Sequence, residues 1–304
     1  MDSESAAGVL LGLACGDALG RPVEFKSASA IDREYGTLTE MVGYGTHNKP
    51  AGTVTDDTDL ALCVARSLVE AGGFDGQDVA DRFQGWYESG PFDIGLMTAD
   101  AISEYEQGTS WRDAGRDVWQ RRPEGSNAGN GSVMRCAPHA LAYGDDPDTL
   151  VDVSRQSSAI THYDPRCTYG CAVLNLTIAG YRRDESDPLS DALDRVRGDA
   201  PDELVETLRL VPDVVDSSQL ETTGYVVHTL QTALYDALTA KSAKEAIVTA
   251  VNRGGDTDTV GAVTGALAGA RFGAGALPAE WLDTVEYRDH LAALAGQLVT
   301  LDLD

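Results

Sequence analysis

Lysine is scarce in this chain of 304 residues, with Lys26, Lys49, Lys241 and Lys244 the only four. Lys plus Arg is 23 against 49 for Asp plus Glu, so the net charge is −26, and 33 of the acids are aspartate. Such a field repels phosphate backbones and anionic headgroups, which argues against a nucleic-acid partner or a membrane surface. Cysteine is limited to Cys15, Cys63, Cys136, Cys167 and Cys171, an odd number with no CxxC pair. Neither a disulfide framework nor a zinc site follows, and the thiols read as the reduced, mostly buried ones of a cytoplasmic protein. The start, Met1-Asp2-Ser3-Glu4, lacks the basic region of a signal peptide. Near the C-terminus the longest uncharged stretch, 259–270, has 12 residues, short of the roughly 20 that span a bilayer.

The remaining composition is that of a globular domain, at 42% hydrophobic and 24% charged. The acids are spread along the whole chain, which suits a surface adapted to concentrated salt better than a binding tail. A halophilic origin is the expectation, since repulsion is screened within about 3 Å at 1 M salt.

Periodicity is helical. Leu60, Val64, Ala65, Leu68 and Val69 recur on one helix face, and Gly72-Gly73 supplies the stop. The segments 224–240 and 244–252 repeat the pattern, and alternating strand runs are hard to find, so the fold class is all-α. Two segments, 6–14 and 260–270, are rich in small residues. In the second, Gly261, Gly265 and Gly269 lie four apart and leave one helix face nearly bare. Each costs about 1 kcal/mol against alanine, which close approach of another helix would offset. No internal repeat appears. The stretch 184–221 carries 12 acids against three arginines and reads as a solvated peripheral excursion of short helices within a single domain, 1–304.

Two acidic clusters stand at expected helix starts. Gly52-Thr53-Val54-Thr55-Asp56-Asp57-Thr58-Asp59 precedes the first helical run, and Asn252-Arg253-Gly254-Gly255-Asp256-Thr257-Asp258-Thr259 the glycine-rich one. A helix N-terminus favours carboxylates, but capping needs one, so either cluster alone could be an overdone cap in an aspartate-rich chain. Two of them, with hydroxyls interleaved, form an oxygen-only donor set suited to Mg²⁺ or Mn²⁺. Asp256-x-Asp258-x-Val260 also matches the DxDx[TV] string of haloacid-dehalogenase-type phosphatases, but no hydrophobic strand precedes it. The DDxxD spacing of isoprenoid synthases is not met by Asp56-Asp57-Thr58-Asp59.

Taken in order, Gly12-Leu13-Ala14-Cys15-Gly16-Asp17-Ala18-Leu19-Gly20 with Glu24, Thr55-Asp56-Asp57-Thr58, Gly129-Asn130-Gly131-Ser132-Val133-Met134-Arg135, Thr161-His162 and Gly254–Thr259 resemble the motifs of ADP-ribosylglycohydrolases. The resemblance implies a single compact orthogonal multi-helix domain with a dinuclear Mg²⁺ or Mn²⁺ centre. It implies Thr55, Asp56, Asp57, Asp256, Asp258 and Thr259 as metal ligands, and Glu24 as an acid above the metals on a mobile segment. Asp93 resembles a further acid of the bacterial branch acting on ADP-ribosyl-arginine, and with Glu24 is the expected catalytic pair. Asn130, Gly131, Ser132, Met134 and His162 are the expected substrate-binding residues.

The activity so implied is hydrolysis of the N- or O-glycosidic bond of an ADP-ribosylated protein, of the arginine or serine type, by a monomer. A hydrolase of a small ADP-ribose conjugate or nucleoside-type glycoside, or a non-catalytic ADP-ribose-binding relative, remain as alternatives. From the residues alone, Glu24 could pair with Arg21 or Lys26, and Asp17 could be a buried acid of the bundle. His47, His139, His228 and His290 receive no role. The Gly/Pro-punctuated loop around Tyr44 reads as a surface loop or a lid.

Overall fold

The computed structural model describes residues 3–303. The first helix, α1 (Ser3–Gly20), runs through a 3₁₀ turn at Arg21–Val23 to α2 (Ala28–Tyr35). Next come α3 (Asp56–Ala71), α4 (Gly76–Glu88), α5 (Leu96–Glu106) and α6 (Ala114–Arg121). A 3₁₀ turn at Val133–Arg135 leads to α7 (Pro138–Ala142), α8 (Pro147–Ala159) and α9 (Pro165–Arg182). The chain continues through α10 (Pro188–Val196), α11 (Asp202–Leu208), α12 (Val226–Thr239), α13 (Ala243–Asn252) and α14 (Thr257–Phe272). It ends with α15 (Ala279–Thr284) and α16 (Arg288–Leu298). No strand occurs among the described residues, so the all-α expectation holds.

Part of the aspartate excess serves these helix starts. Asp75, Asp146, Asp164 and Asp187 accept backbone N–H groups at the beginnings of α4, α8, α9 and α10. The last three are followed directly by proline, whose missing N–H costs nothing in a first turn.

The two small-residue segments turn out to be partners, an association their separate positions in the chain did not reveal. α1 and α14 pack antiparallel, with Gly8, Gly12 and Gly16 against Gly269, Gly265 and Gly261. A Cβ on Gly12 would lie 2.1 Å from the Gly265 carbonyl oxygen, and one on Gly265 would lie 2.0 Å from that of Gly12. Such distances admit no side chain, so the backbones themselves are in contact. At the end of the seam, Thr257 Oγ1 donates to Gly20 O over 2.8 Å, joining the C-terminus of α1 to the N-terminus of α14. α1 is long and apolar enough to cross a membrane, yet 94% of that window is buried within the protein. It is the core helix of the bundle.

The acidic stretch 184–221 forms α10, α11 and a 3₁₀ turn at Ser217–Gln219. Its acids lie largely outward, but Leu189, Leu193, Val196, Leu204 and Leu208 are buried in the main core. The excursion is therefore a packed flank and not only a solvated one.

Candidate functional site

Both acidic clusters open helices, and the helices place them face to face. Thr55 is the N-cap of α3, and Asp56 and Asp57 occupy its first turn. Asp256 is the N-cap residue of α14, with Asp258 and Thr259 in its first turn. Thr259 Oγ1 donates to Asp57 Oδ2 over 3.3 Å, which joins the two clusters directly.

Asp17, near the end of α1, holds the first cluster from below. Thr55 N lies 3.0 Å from both Asp17 oxygens, and Thr58 donates to Oδ2 through N at 3.2 Å and Oγ1 at 2.5 Å. It positions the motif, in line with its reading as a buried acid of the bundle.

Glu24 follows the 3₁₀ turn after α1 and is 5% exposed. Neither neighbour pairs with it. Arg21 turns away to the carbonyls of Thr53, Tyr44 and Pro50 at 2.9, 3.0 and 2.8 Å, which pins the 44–50 loop. Lys26 pairs with Glu34 at 2.6 Å. The partner of Glu24 is His47, whose Nε2 contacts Oε2 and also lies 3.8 Å from Asp93 Oδ2. Composition and spacing gave no signal for His47; it is found only because the loop folds back. A bridge between Ser27 and Gly254 then fixes the Glu24 segment beside the second cluster, and Glu24, Asp256 and Asp258 each bring a carboxylate oxygen within 4.8 Å of the others.

Crowding of buried acids has the expected electrostatic consequence. Burial pushes Asp17 and Glu24 up to about 7. Asp56, Asp57 and Asp258 rise well above the usual carboxylate range, first through burial and then through Asp93, Asp17 and Glu24 respectively. Asp93 and Asp256 are raised by burial as well.

Among the described residues no Lys or Arg forms an ion pair with Asp56, Asp57, Asp256 or Asp258. Asp57 Oδ1 is buried with no hydrogen-bond partner. An orphaned carboxylate oxygen among hydroxyls and other carboxylates is what a hard divalent cation would satisfy. The donor set fits such ions.

Above the acids opens a cavity of about 560 Å³ lined by Glu24, Asp56, Asp93, Asp256, Asp258 and Thr259 on one side. Asn130, Gly131, Met134 and His162 line the other, joined by Tyr225 and Met97. Asn130 Nδ2 donates to Asp256 Oδ2 over 2.7 Å, and Gly129 bridges to Tyr225, so the loop is tied both to the acids and to the start of α12. Gly131 is required by proximity, since a Cβ there would sit 2.8 Å from His162 Cε1.

Ser132 departs from the expected set. It is 1% exposed and its hydroxyl meets Ser158 Oγ at 2.9 Å and Cys171 Sγ at 3.4 Å, behind the cavity wall. As the residue leading into the 3₁₀ turn it points into the core, while Asn130, Gly131 and Met134 line the cavity. Thr55 and Asp57 lie beneath the floor, almost fully buried. Burial lowers His162 to about 3, with Arg135 as the next cause, so its ring is neutral.

Comparison with known proteins agrees with this geometry. The ADP-ribosylglycohydrolase family model matches residues 2–303. The chain is 33% identical to ADP-ribosylarginine hydrolase Tri1 of Pseudomonas putida, covering 97% of this chain and 78% of that protein. It is also 33% identical to an ADP-ribosyl-dinitrogen reductase glycohydrolase of Rhodospirillum rubrum, over 96% and 97%. ADP-ribosylhydrolase ARH3 of Bos taurus is 27% identical over 96% and 91%. A solved structure described as an ADP-ribosylglycohydrolase-related protein complex superposes with a TM-score of 0.83 at 34% identity, covering 98% of each chain. A helical bundle that sets two Thr/Asp helix starts beneath a cavity lined by Glu24, matched over residues 2–303, makes this chain a member of the ADP-ribosylglycohydrolase family of hydrolases.

Proposed function

We propose that the substrate is ADP-ribosyl-arginine on a protein, and that hydrolysis depends on two divalent cations, Mg²⁺ or Mn²⁺. The observation that carries the linkage is Asp93. This acid sits at the cavity mouth with its side chain 21% exposed, 3.8 Å from His47 and without an Arg or Lys partner among the described residues. A guanidinium leaving group finds a carboxylate of matching charge there, whereas a serine hydroxyl would leave that charge uncompensated. The names of two relatives, an ADP-ribosylarginine hydrolase and an ADP-ribosyl-dinitrogen reductase glycohydrolase, point the same way.

Thr55, Asp56, Asp57, Asp256, Asp258 and Thr259 would hold the cations. When bound, these supply Lewis acidity toward the ribose hydroxyls and a water, and neutralise the clustered carboxylates. The chain's own residues do the rest. Asn130 and the glycine-lined loop fix the nucleotide end, and Asp93 orients the guanidinium. Glu24 accepts a proton from the attacking water as its oxygen bonds to the anomeric carbon. The C–N bond breaks, its electron pair stays on the guanidine nitrogen, and that nitrogen takes up the proton that Glu24 received from the water.

The test is a panel of arginine-linked and serine-linked ADP-ribosyl peptides with Mg²⁺ or Mn²⁺, read as released ADP-ribose. Faster release from arginine, reduced in Asp93→Asn, is expected. Equal or faster release from serine would overturn the linkage.

A further inference from the structure

Arg135 is a fully buried arginine with no carboxylate partner among the described residues. It lies 1% exposed beneath the cavity wall, with its guanidinium 4.8 Å from the Phe83 ring centroid. Burial lowers it only to about 10, so it stays a cation and can only donate. One nitrogen donates to the Gly131 carbonyl. The other, Nη2, donates to Thr161 Oγ1 over 2.7 Å.

The consequence runs through one proton. Thr161 is 0% exposed, and its hydroxyl oxygen already accepts from Arg135. Among the described residues the hydroxyl's only other hydrogen-bond partner is His162 Nδ1 at 2.8 Å. Were Nδ1 protonated, that oxygen would accept twice and the hydroxyl hydrogen would be a buried donor with no acceptor. The arrangement that satisfies every group has Thr161 donating to Nδ1, which leaves the ring hydrogen on Nε2. Nε2 has no hydrogen-bond partner among the described residues, and His162 lines the cavity opposite the acids.

We propose that Arg135 and Thr161 are positioning residues that lock His162 in its Nε2–H tautomer, making it a fixed neutral donor to an oxygen of the bound ADP-ribosyl group. The chain Arg135–Thr161–His162 presents a hydrogen-bond donor without adding charge to the wall. The same guanidinium, through Gly131, holds the loop that closes over the ring. This assignment rests on the ADP-ribosyl reading of the substrate. It concerns ground-state binding, so its loss should raise KM and leave kcat nearly unchanged.

The decisive measurement is nitrogen NMR of the histidine-labelled full chain, with the His162 signal assigned from the His162→Gln spectrum. A non-protonated Nδ1 and a protonated Nε2 in the native protein are expected. Thr161→Val should mix the tautomers and weaken ADP-ribose binding by about twofold, because only the Nε2–H fraction remains competent, while Thr161→Ser restores both. The native-protein spectrum stands even if Thr161→Val fails to fold. A protonated Nδ1 in a protein that binds ADP-ribose normally overturns the lock alone. ADP-ribose failing to bind the native protein overturns the substrate reading and the role of His162 with it.

Discussion

The Thr58 hydroxyl donates a 2.5 Å hydrogen bond to Asp17 Oδ2, and through it the end of α1 grips the first turn of α3. All groups facing Asp17 are donors: Thr55 N, Thr58 N and the two threonine hydroxyls. An amide in its place would turn its own NH₂ toward one of them. Asp17→Asn is therefore expected to lower stability by about 1–3 kcal/mol, the cost of unsatisfied buried donors. It should also weaken divalent-cation binding, because Asp56 and Asp57 lose their support. Denaturant titration with and without Mg²⁺ reads both; an unchanged midpoint in each would show that the grip is dispensable.

Gly265→Ala tests the seam between α1 and α14. Helix propensity alone would make this change favourable by about 1 kcal/mol. With the Gly12 carbonyl oxygen 2.0 Å from the new carbon, overpacking of about 1–3 kcal/mol should prevail. A variant as stable as the parent would mean that the helices part without cost.

Metal-free stability should fall as pH rises from about 6.5 to about 8. Asp17 and Glu24 are raised to about 7, and Asp56, Asp57 and Asp258 go well above the usual range. Their native values exceed the unfolded ones, so the native state holds more protons and loses stability as they leave. Buried His139 and His162, lowered to about 4 and about 3, act in the opposite sense but only below 6.5, where the unfolded ring titrates. Added Mg²⁺ should therefore raise the thermal midpoint more at pH 8 than at pH 6.5. An equal metal effect at both pH values would contradict a shared, buried carboxylate cluster.

Glu24→Gln should abolish most turnover while ADP-ribose affinity stays within a few-fold of normal. The amide keeps the shape and the contact with His47 but cannot take a proton. Parallel losses of rate and affinity would instead indicate a disturbed cavity.

The salt response is set by the charge of −26. Repulsion reaches about 30 Å at 0.01 M and about 3 Å at 1 M, so the thermal midpoint should climb with KCl at fixed divalent concentration. A flat profile would remove the halophilic interpretation.

The sequence showed clearly what is local. The 3.6-residue period of 60–69, the Gly72 stop and the Thr/Asp helix starts are each written in consecutive residues, and α3 and α14 begin where those signals stand. What depends on long-range folding was not visible. His47 lies in a loop whose composition says only turn, and Arg21 brings it to Glu24 by collecting four carbonyls. Ser132 sits inside a motif of which Asn130, Gly131 and Met134 line the cavity, yet it enters the core at the start of the 3₁₀ turn. The pairing of the two small-residue segments needed a partner more than 200 residues away.

That backbone seam has a dynamic consequence. A helix contact built from leucines has rotamers to exchange, and each exchange lets the axes drift by tenths of an ångström. Gly12 against Gly265 has none, so the gap between α1 and α14 has a single setting. Glu24 hangs from one of these helices and Asp256 and Asp258 begin the other. Rotamer exchange thus has nothing to move at this seam, and the spacing of the acids follows from backbone-to-backbone contact between the two helices.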